Sequence, residues 1–241
     1  MATVTMASLR PWLDSCCAQC GDTIIYGFAD LEEVLPEPLC AMPRGISYAV
    51  RMNDPLMDSV RNGPHDAYFA EYTRVNQLLN NIGDAIAEKI QASGYAAERI
   101  HSSQTVDPAN FAGVFQHKTA AVIAGYGWIG RNCQLITRLF GPRVRLGTVI
   151  TDMDLGEEPA PRMRSYCGSC SRCVDACPSQ SLTGNAWREG GARSDVFDAA
   201  RCSAWAREHY PRVHAICGIC TSVCPQGTAR RKKAASAASE G

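Results

Sequence analysis

The sequence has no long hydrophobic run, and no stretch of its 241 residues approaches the roughly 18 apolar residues of a membrane-spanning helix. Its opening, MATVTMASLRPW, lacks the basic stretch and apolar core of a secretory leader. The expectation is a cytoplasmic protein without a membrane anchor. Net charge is also missing, with 24 Lys and Arg against 24 Asp and Glu, but the balance hides an asymmetry. Residues 1–160 hold 12 basic and 18 acidic side chains, whereas residues 161–241 hold 12 and 6. A basic C-terminal part suits an acidic redox partner or a nucleic acid backbone. A solvated tail, ARRKKAASAASEG, accounts for four of those cations and needs no partner.

Cysteine is in excess. Thirteen of them without a leader point to metal ligation or redox chemistry, not to a disulfide scaffold. From residue 167 the sequence reads CGSCSRCVDACP, which is C-x2-C-x2-C-x3-C-P. Three thiolates at this spacing wrap one cubane cluster, and the fourth ligates a second one. A second run, CGICTSVCP, supplies Cys217, Cys220 and Cys224, and Cys202 in AARCSAWA is the nearest candidate for the missing ligand. Crossing the ligands as two-cluster ferredoxins do gives Cys167, Cys170, Cys173 and Cys224 to one [4Fe-4S] cluster. Cys177, Cys202, Cys217 and Cys220 then hold the other. Two zinc sites are the competing reading, but zinc needs neither the third cysteine nor the Cys-Pro that ends each run. Two joined clusters form a short wire that moves electrons singly.

Upstream, a helix is expected from Met6 to Cys20, stopped by Gly21, then a strand TIIYGF. Cys16, Cys17 and Cys20 read as buried small side chains, or with Cys40 as a metal or redox site. ISYAVRM alternates as a strand, and AYFAEYTRVNQLLNNIGDAIAEKIQASG reads as a long helix ending at Gly94, with Tyr72, Val75, Leu78, Leu79, Ile82, Ile86 and Ile90 near helical spacing as its core positions. RIHSS reads as a strand and PANFAGVF as a short helix. AGYGWIGRN then holds Gly125, Gly127 and Gly130 at the dinucleotide spacing G-x-G-x-x-G. A dinucleotide site needs a strand before the glycines and a long helix after them. TAAVIA reads as readily as the end of a helix, and QLITRLF with RVRLGTVITDMDL reads as a hairpin around Gly141-Pro142, so the dinucleotide reading is disfavoured.

HKTAAVIAGYGWIGRN, LGTVITDMDL, CGSCSRCVDACP, ARCSAWA and CGICTSVCP, in this order, resemble the epoxyqueuosine reductases. These are iron-sulfur and cobalamin enzymes of tRNA modification related to reductive dehalogenases. CGDTIIYGFADLEE looks like that family's N-terminal helix-turn-strand. The resemblance implies an α+β protein: a nitroreductase-like α/β domain over residues 1–160 for cobalamin and substrate, a ferredoxin-like double-cluster domain over 161–228, and a disordered basic tail over 229–241. It makes His117, Lys118, Gly125, Gly127, Trp128, Gly130 and Asn132 candidate cobalamin contacts, with glycines admitting backbone close to a flat macrocycle.

The family's acidic proton donor aligns near Ala70, leaving Asp66, Glu71 and Tyr72 as candidates. Arg131 stands where the family often has lysine. The sequence ends soon after Pro225, where the tRNA enzymes carry a further tRNA-binding extension, so a short form is expected and the case for tRNA as partner is weakened. The implied activity is reductive chemistry at cobalamin, fed by a low-potential donor of the ferredoxin or flavodoxin type. The alternative is a non-catalytic electron carrier that docks a partner.

Overall fold

The computed structural model describes residues 6–156, 160–213 and 216–226. In chain order its elements are α1 (Met6–Gln19), β1 (Ile24–Asp30), β2 (Arg44–Arg51), α2 (Asp54–Ser59), α3 (Asp66–Gln91), β3 (Ala97–Ile100) and α4 (His117–Ile123). There follow β4 (Gly127–Ile129), β5 (Leu135–Thr137), β6 (Val144–Thr151), α5 (Arg172–Asp175), α6 (Ala199–His209) and α7 (Ile219–Ser222). Among the described residues no helix is long and apolar enough to cross a membrane.

The chain forms two compact units. The first comprises the chain to Arg51, Arg74–Tyr126 and Arg145–Met163; the second comprises Met52–Thr73, Gly127–Val144 and the chain from Arg164. Two stretches of the expected N-terminal domain, 52–73 and 127–144, therefore group with the cysteine block. The expected tail over 229–241 lies outside the described residues.

The first unit is built on a sheet of order β1-β2-β6-β3. Strands β1 and β2 pair antiparallel from Ile24 opposite Val50 to Asp30 opposite Arg44, where the two end residues also form an ion pair of 2.5 Å. Strand β3 pairs antiparallel with β6. Helix α4 packs on β1 and β2, burying Ala120, Ile123 and Ala124 against Ala29, Leu31 and Ile150. Of the apolar positions expected on the core face of α3, Val75, Leu79, Ile86 and Ile90 are buried, while Tyr72, Leu78 and Ile82 are only half-buried.

Three local expectations fail, each for a visible reason. PANFAGVF is not helical, because the Asp107 carboxylate accepts from the amides of Ala109 and Asn110 at 3.1 and 3.2 Å and holds a turn, with Phe111 at φ 51°. The strand expected at RIHSS begins earlier, at Ala97, and ends at Ile100. No hairpin forms around Gly141-Pro142: β5 pairs back on β4, and β6 joins the four-stranded sheet beside β2 and β3. Thr137 and Gly141 exchange backbone hydrogen bonds instead, closing a small loop.

In the second unit, α7 packs on α5, on α2 and on the turn Val60–Asn62. Asn53 caps α2 by accepting from the Leu56 amide at 3.1 Å. In the cysteine segment α5 and α7 have only four residues each, whereas α6 has eleven.

Candidate iron-sulfur site

The cysteine block places its thiols by alternating tight turns with single helical turns. The Cys170 amide donates to the Cys167 carbonyl at 3.0 Å, α5 carries Cys173, and the Cys177 amide closes the turn on Val174 at 3.1 Å. Cys202 comes from α6, whose start is capped by Asp198 accepting from the Arg201 amide at 2.9 Å. Cys220 lies in α7, and Cys224 follows it.

Cys167, Cys170, Cys173 and Cys224 line one cavity together with Arg131, Asn132, Ile136, Pro225 and Gln226. Burial pushes the Cys224 thiol up to about 11, and Cys167, Cys173 and Cys170 add to the shift. In the other group, burial raises Cys217 to about 11 with Cys202 and Cys177 adding, and burial raises Cys220 further, with Cys217, Cys202 and Cys177 as its main neighbours. The neighbours that raise Cys217, Cys220 and Cys224 are thus mainly those that the crossed pattern would give them. Among the described residues no three His, Cys, Asp or Glu side chains are grouped as one metal ion would require. A cubane spreads its four thiolates wider than a single zinc ion does.

The glycine motif is a helix end followed by a hairpin. Gly125, at φ 76°, closes α4 with its amide on the Val122 carbonyl at 3.1 Å, and a Cβ there would lie 2.5 Å from Ala160 Cβ. Gly127 lies in β4, where a Cβ would stand 2.8 Å from the carbonyl oxygen of Ile136. At Gly130 a Cβ would run into the Ile136 side chain. These glycines are required by the chain's own close approaches, which is a different reason from the macrocycle contact inferred from the sequence. No helix opens after them, so the dinucleotide geometry is absent here.

The other expected cofactor contacts differ among themselves. His117 sits at the start of α4, where its Nε2–H donates to the His101 carbonyl at 3.2 Å and its Nδ1 accepts from Thr148 Oγ1 at 2.9 Å. Burial lowers its pKa to about 4, so the imidazole is neutral near pH 7. Lys118 follows it, half-buried. Asn132 is buried, accepts from the Gln134 amide at 3.2 Å and donates to the Cys220 carbonyl at 3.4 Å. Trp128 is buried with its ring edge-on to Tyr166 at 5.2 Å, and its Nε1–H meets no acceptor among the described residues. His117, Lys118 and Gly125 belong to the first unit, and the other four to the second.

Of the expected proton donors, Asp66 is exposed at the start of α3 and lies 3.8 Å from Arg212. Glu71 is half-buried, and its Oε1 accepts from the Asn53 amide at 3.1 Å. Tyr72 is half-buried, and Ala70 is exposed. Cys16 and Cys17 line an apolar cavity of about 190 Å³ with Trp12, Leu13, Ile24 and Ile86, and burial raises the Cys17 thiol to about 11. Cys40 donates to the carbonyls of Leu35 and Pro36, each at 3.4 Å.

Sequence reasoning missed Arg143. Its side chain is 1% exposed, pairs with Asp54 at 3.1 Å and Asp58 at 2.7 Å, and donates to the Ser222 carbonyl at 3.2 Å within the Cys220–Cys224 turn. The signal was present in NDPLMD, where two aspartates four apart share one helical face.

Comparison with known proteins agrees with this geometry. A 4Fe-4S double cluster binding domain matches residues 166–227. An epoxyqueuosine reductase of Gloeobacter violaceus is 30% identical over 210 residues, covering 81% of this chain and 59% of that protein. The chain therefore spans about three-fifths of that relative's length. In fold, a selenomethionine-labelled epoxyqueuosine reductase covers 93% of the chain with a TM-score of 0.64 at 17% identity, over 67% of its own length. A reductive dehalogenase whose structure suggests a mechanism for B12-dependent dehalogenation covers 89% with a TM-score of 0.68 at 18% identity, over 31% of its own length. The chain is thus similar to the epoxyqueuosine reductases over most of its length, and its residues 166–227 match a 4Fe-4S double cluster binding domain.

Proposed function

We propose that the chain is an iron-sulfur oxidoreductase of the epoxyqueuosine reductase type, in which two [4Fe-4S] clusters deliver electrons one at a time to cobalamin. The observation that carries this reading is the single cavity ringed by Cys167, Cys170, Cys173 and Cys224, with Cys217, Cys202 and Cys177 gathered around Cys220. Cys167, Cys170, Cys173 and Cys224 would hold one cluster as thiolates, and Cys177, Cys202, Cys217 and Cys220 the other. The relatives extend the likeness across the first unit as well, which favours an enzyme over a bare electron carrier.

The chain's chemistry suits cobalamin at one residue in particular. The buried Trp128 N–H has no acceptor among the described residues, and the corrin periphery carries amide carbonyls that would take it. When bound, the group supplies a cobalt centre that accepts single electrons and does the reductive chemistry. Trp128 would donate to it and exclude water, with Asn132 of the same unit as a further contact. His117, neutral and committed at both nitrogens, supports α4. A nitroreductase-like first domain, the cytoplasm as a reducing compartment and a low-potential ferredoxin or flavodoxin as donor belong to the same reading. The substrate class extends from modified tRNA to small molecules. Asp66, Glu71 and Tyr72 remain the candidate proton donors, and Glu71 is half-buried with its carboxylate oriented by the Asn53 amide.

Anaerobic purification followed by iron, sulfide and zinc analysis tests the clusters: near eight iron and eight sulfide per chain is expected, and stoichiometric zinc without sulfide would sink the reading. For cobalamin, one-to-one binding with a base-off spectrum is expected. Trp128→Phe should weaken it roughly 3- to 10-fold, the worth of one hydrogen bond. No binding by the cluster-loaded protein would remove the cobalamin half of the proposal.

A further inference from the structure

Arg131 ends the glycine motif, and its guanidinium spans two backbone carbonyls of the cysteine segment. Nη1 donates to the Gly184 carbonyl, and Nη2 donates to the Gly168 carbonyl at 2.8 Å. Gly168 lies in the turn between Cys167 and Cys170, and Arg131 itself lines the cavity ringed by Cys167, Cys170, Cys173 and Cys224. Among the described residues no carboxylate pairs with it, and its buried Nε meets no acceptor. Arg143 of the same unit shows the contrast, because Asp54 and Asp58 balance its charge.

An iron-sulfur cluster gains one unit of negative charge when it is reduced. A cation at its wall stabilises the reduced form more than the oxidised form, and cluster potentials follow local charge and hydrogen bonding. Arg131 places a charge with no carboxylate partner among the described residues at one wall, and fixes the turn that carries two of the thiols. We infer that Arg131 is a positioning residue for the cluster of Cys167, Cys170, Cys173 and Cys224, holding its first turn and raising that cluster's reduction potential through its charge. Lysine there would keep the charge but lose the two-pronged grip on Gly168 and Gly184.

This rests on the reading that the quartets hold clusters, so the experiment begins with that. Iron and sulfide are measured on anaerobic wild type, Arg131→Gln and Arg131→Lys, and each is then titrated with dithionite, which supplies the single electron, while reduced clusters are followed by electron paramagnetic resonance. A wild type without sulfide overturns the cluster reading and the Arg131 assignment with it. With clusters present, Arg131→Gln should lower the reduced-to-oxidised ratio of one cluster at least tenfold at fixed potential, a shift of 59 mV for one electron. The other cluster should stay within twofold.

Equal titrations of fully loaded wild type and Arg131→Gln would overturn the proposal, as would an equal shift of both clusters. If Arg131→Gln fails to hold one cluster, Arg131→Lys decides. A potential within threefold of wild type in that ratio supports a charge effect, and a tenfold or greater change overturns it. Reduced cluster lifetime in Arg131→Lys, with its potential kept, would report the lost grip on the turn.

Discussion

Arg143 holds a full charge at 1% exposure because four acceptors meet it: two carboxylates of α2, the Asp54 carbonyl and the Ser222 carbonyl between Cys220 and Cys224. Removing one partner from a buried pair costs about 3–5 kcal/mol, because the other charge stays behind in a poor solvent for it. Arg143→Met should therefore destabilise the second unit by about 3 kcal/mol, most of it from Asp54, whose side chain is 12% exposed. Urea unfolding of the cluster-loaded protein checks this, and a loss under 1 kcal/mol would mean that the pair is weakly coupled to the fold. His117 gives a pH effect of definite sign. Its folded pKa, lowered to about 4, lies below the ordinary value of 6.5, so the unfolded chain binds the proton first as pH falls. Its contribution is fully present above pH 6.5 and is lost between 6.5 and about 4, on the order of 3 kcal/mol. His117→Gln should flatten stability across that window, and an unchanged slope in pH-dependent unfolding would show that the histidine is not the group responsible. At this scale the cluster cysteines were legible because ligand spacing is local in sequence. Arg143 was not, since its partners lie some 85 to 89 residues away and nothing local marks an arginine for burial.

Helix α3 carries a glycine at its middle, which helix propensity alone disfavours by about 1 kcal/mol relative to alanine. The packing explains it. The Tyr48 hydroxyl reaches across to the Leu79 carbonyl at 2.9 Å, and a Cβ at Gly83 would collide with that hydroxyl and come within 2.5 Å of Arg99 Cδ. Gly83→Ala is thus expected to destabilise by about 1–3 kcal/mol, overpacking outweighing propensity. A rise in thermal midpoint would show that Tyr48 can shift at little cost. The same lesson separates the elements read correctly from those misread. Helices α1 and α3 and strands β1 and β2 were legible because their apolar periodicity and their stop signals at Gly21 and Gly94 are local. The pairing of β4 with β5 was hidden because Gly141-Pro142 is a stronger local turn signal than the Gly130–Gln134 turn that forms. Asp107 defeated the expected helix at residues 108–115 through two side-chain hydrogen bonds that periodicity does not register.

The two units differ in what holds them. The first has a four-stranded sheet with α4 on one part of it, whereas the cysteine segment of the second has α5 and α7 of four residues each. Helices that short do not persist without tertiary anchors, and metal binding then becomes folding free energy. Removing iron anaerobically with a chelator should collapse amide-exchange protection over residues 164–226. Because segments 52–73 and 127–144 belong to the same unit, they should lose protection with it, while β1, β2, β3 and β6 keep theirs. Residues 127–144 carry most weight in this experiment, since a contiguous domain boundary at residue 160 would leave them protected with the sheet. Protection retained there after iron loss would place the glycine motif's hairpin with the first unit. Protection lost together with the cysteine block would make the hairpin, with Trp128 and Arg131 on it, part of the structure that the clusters fold.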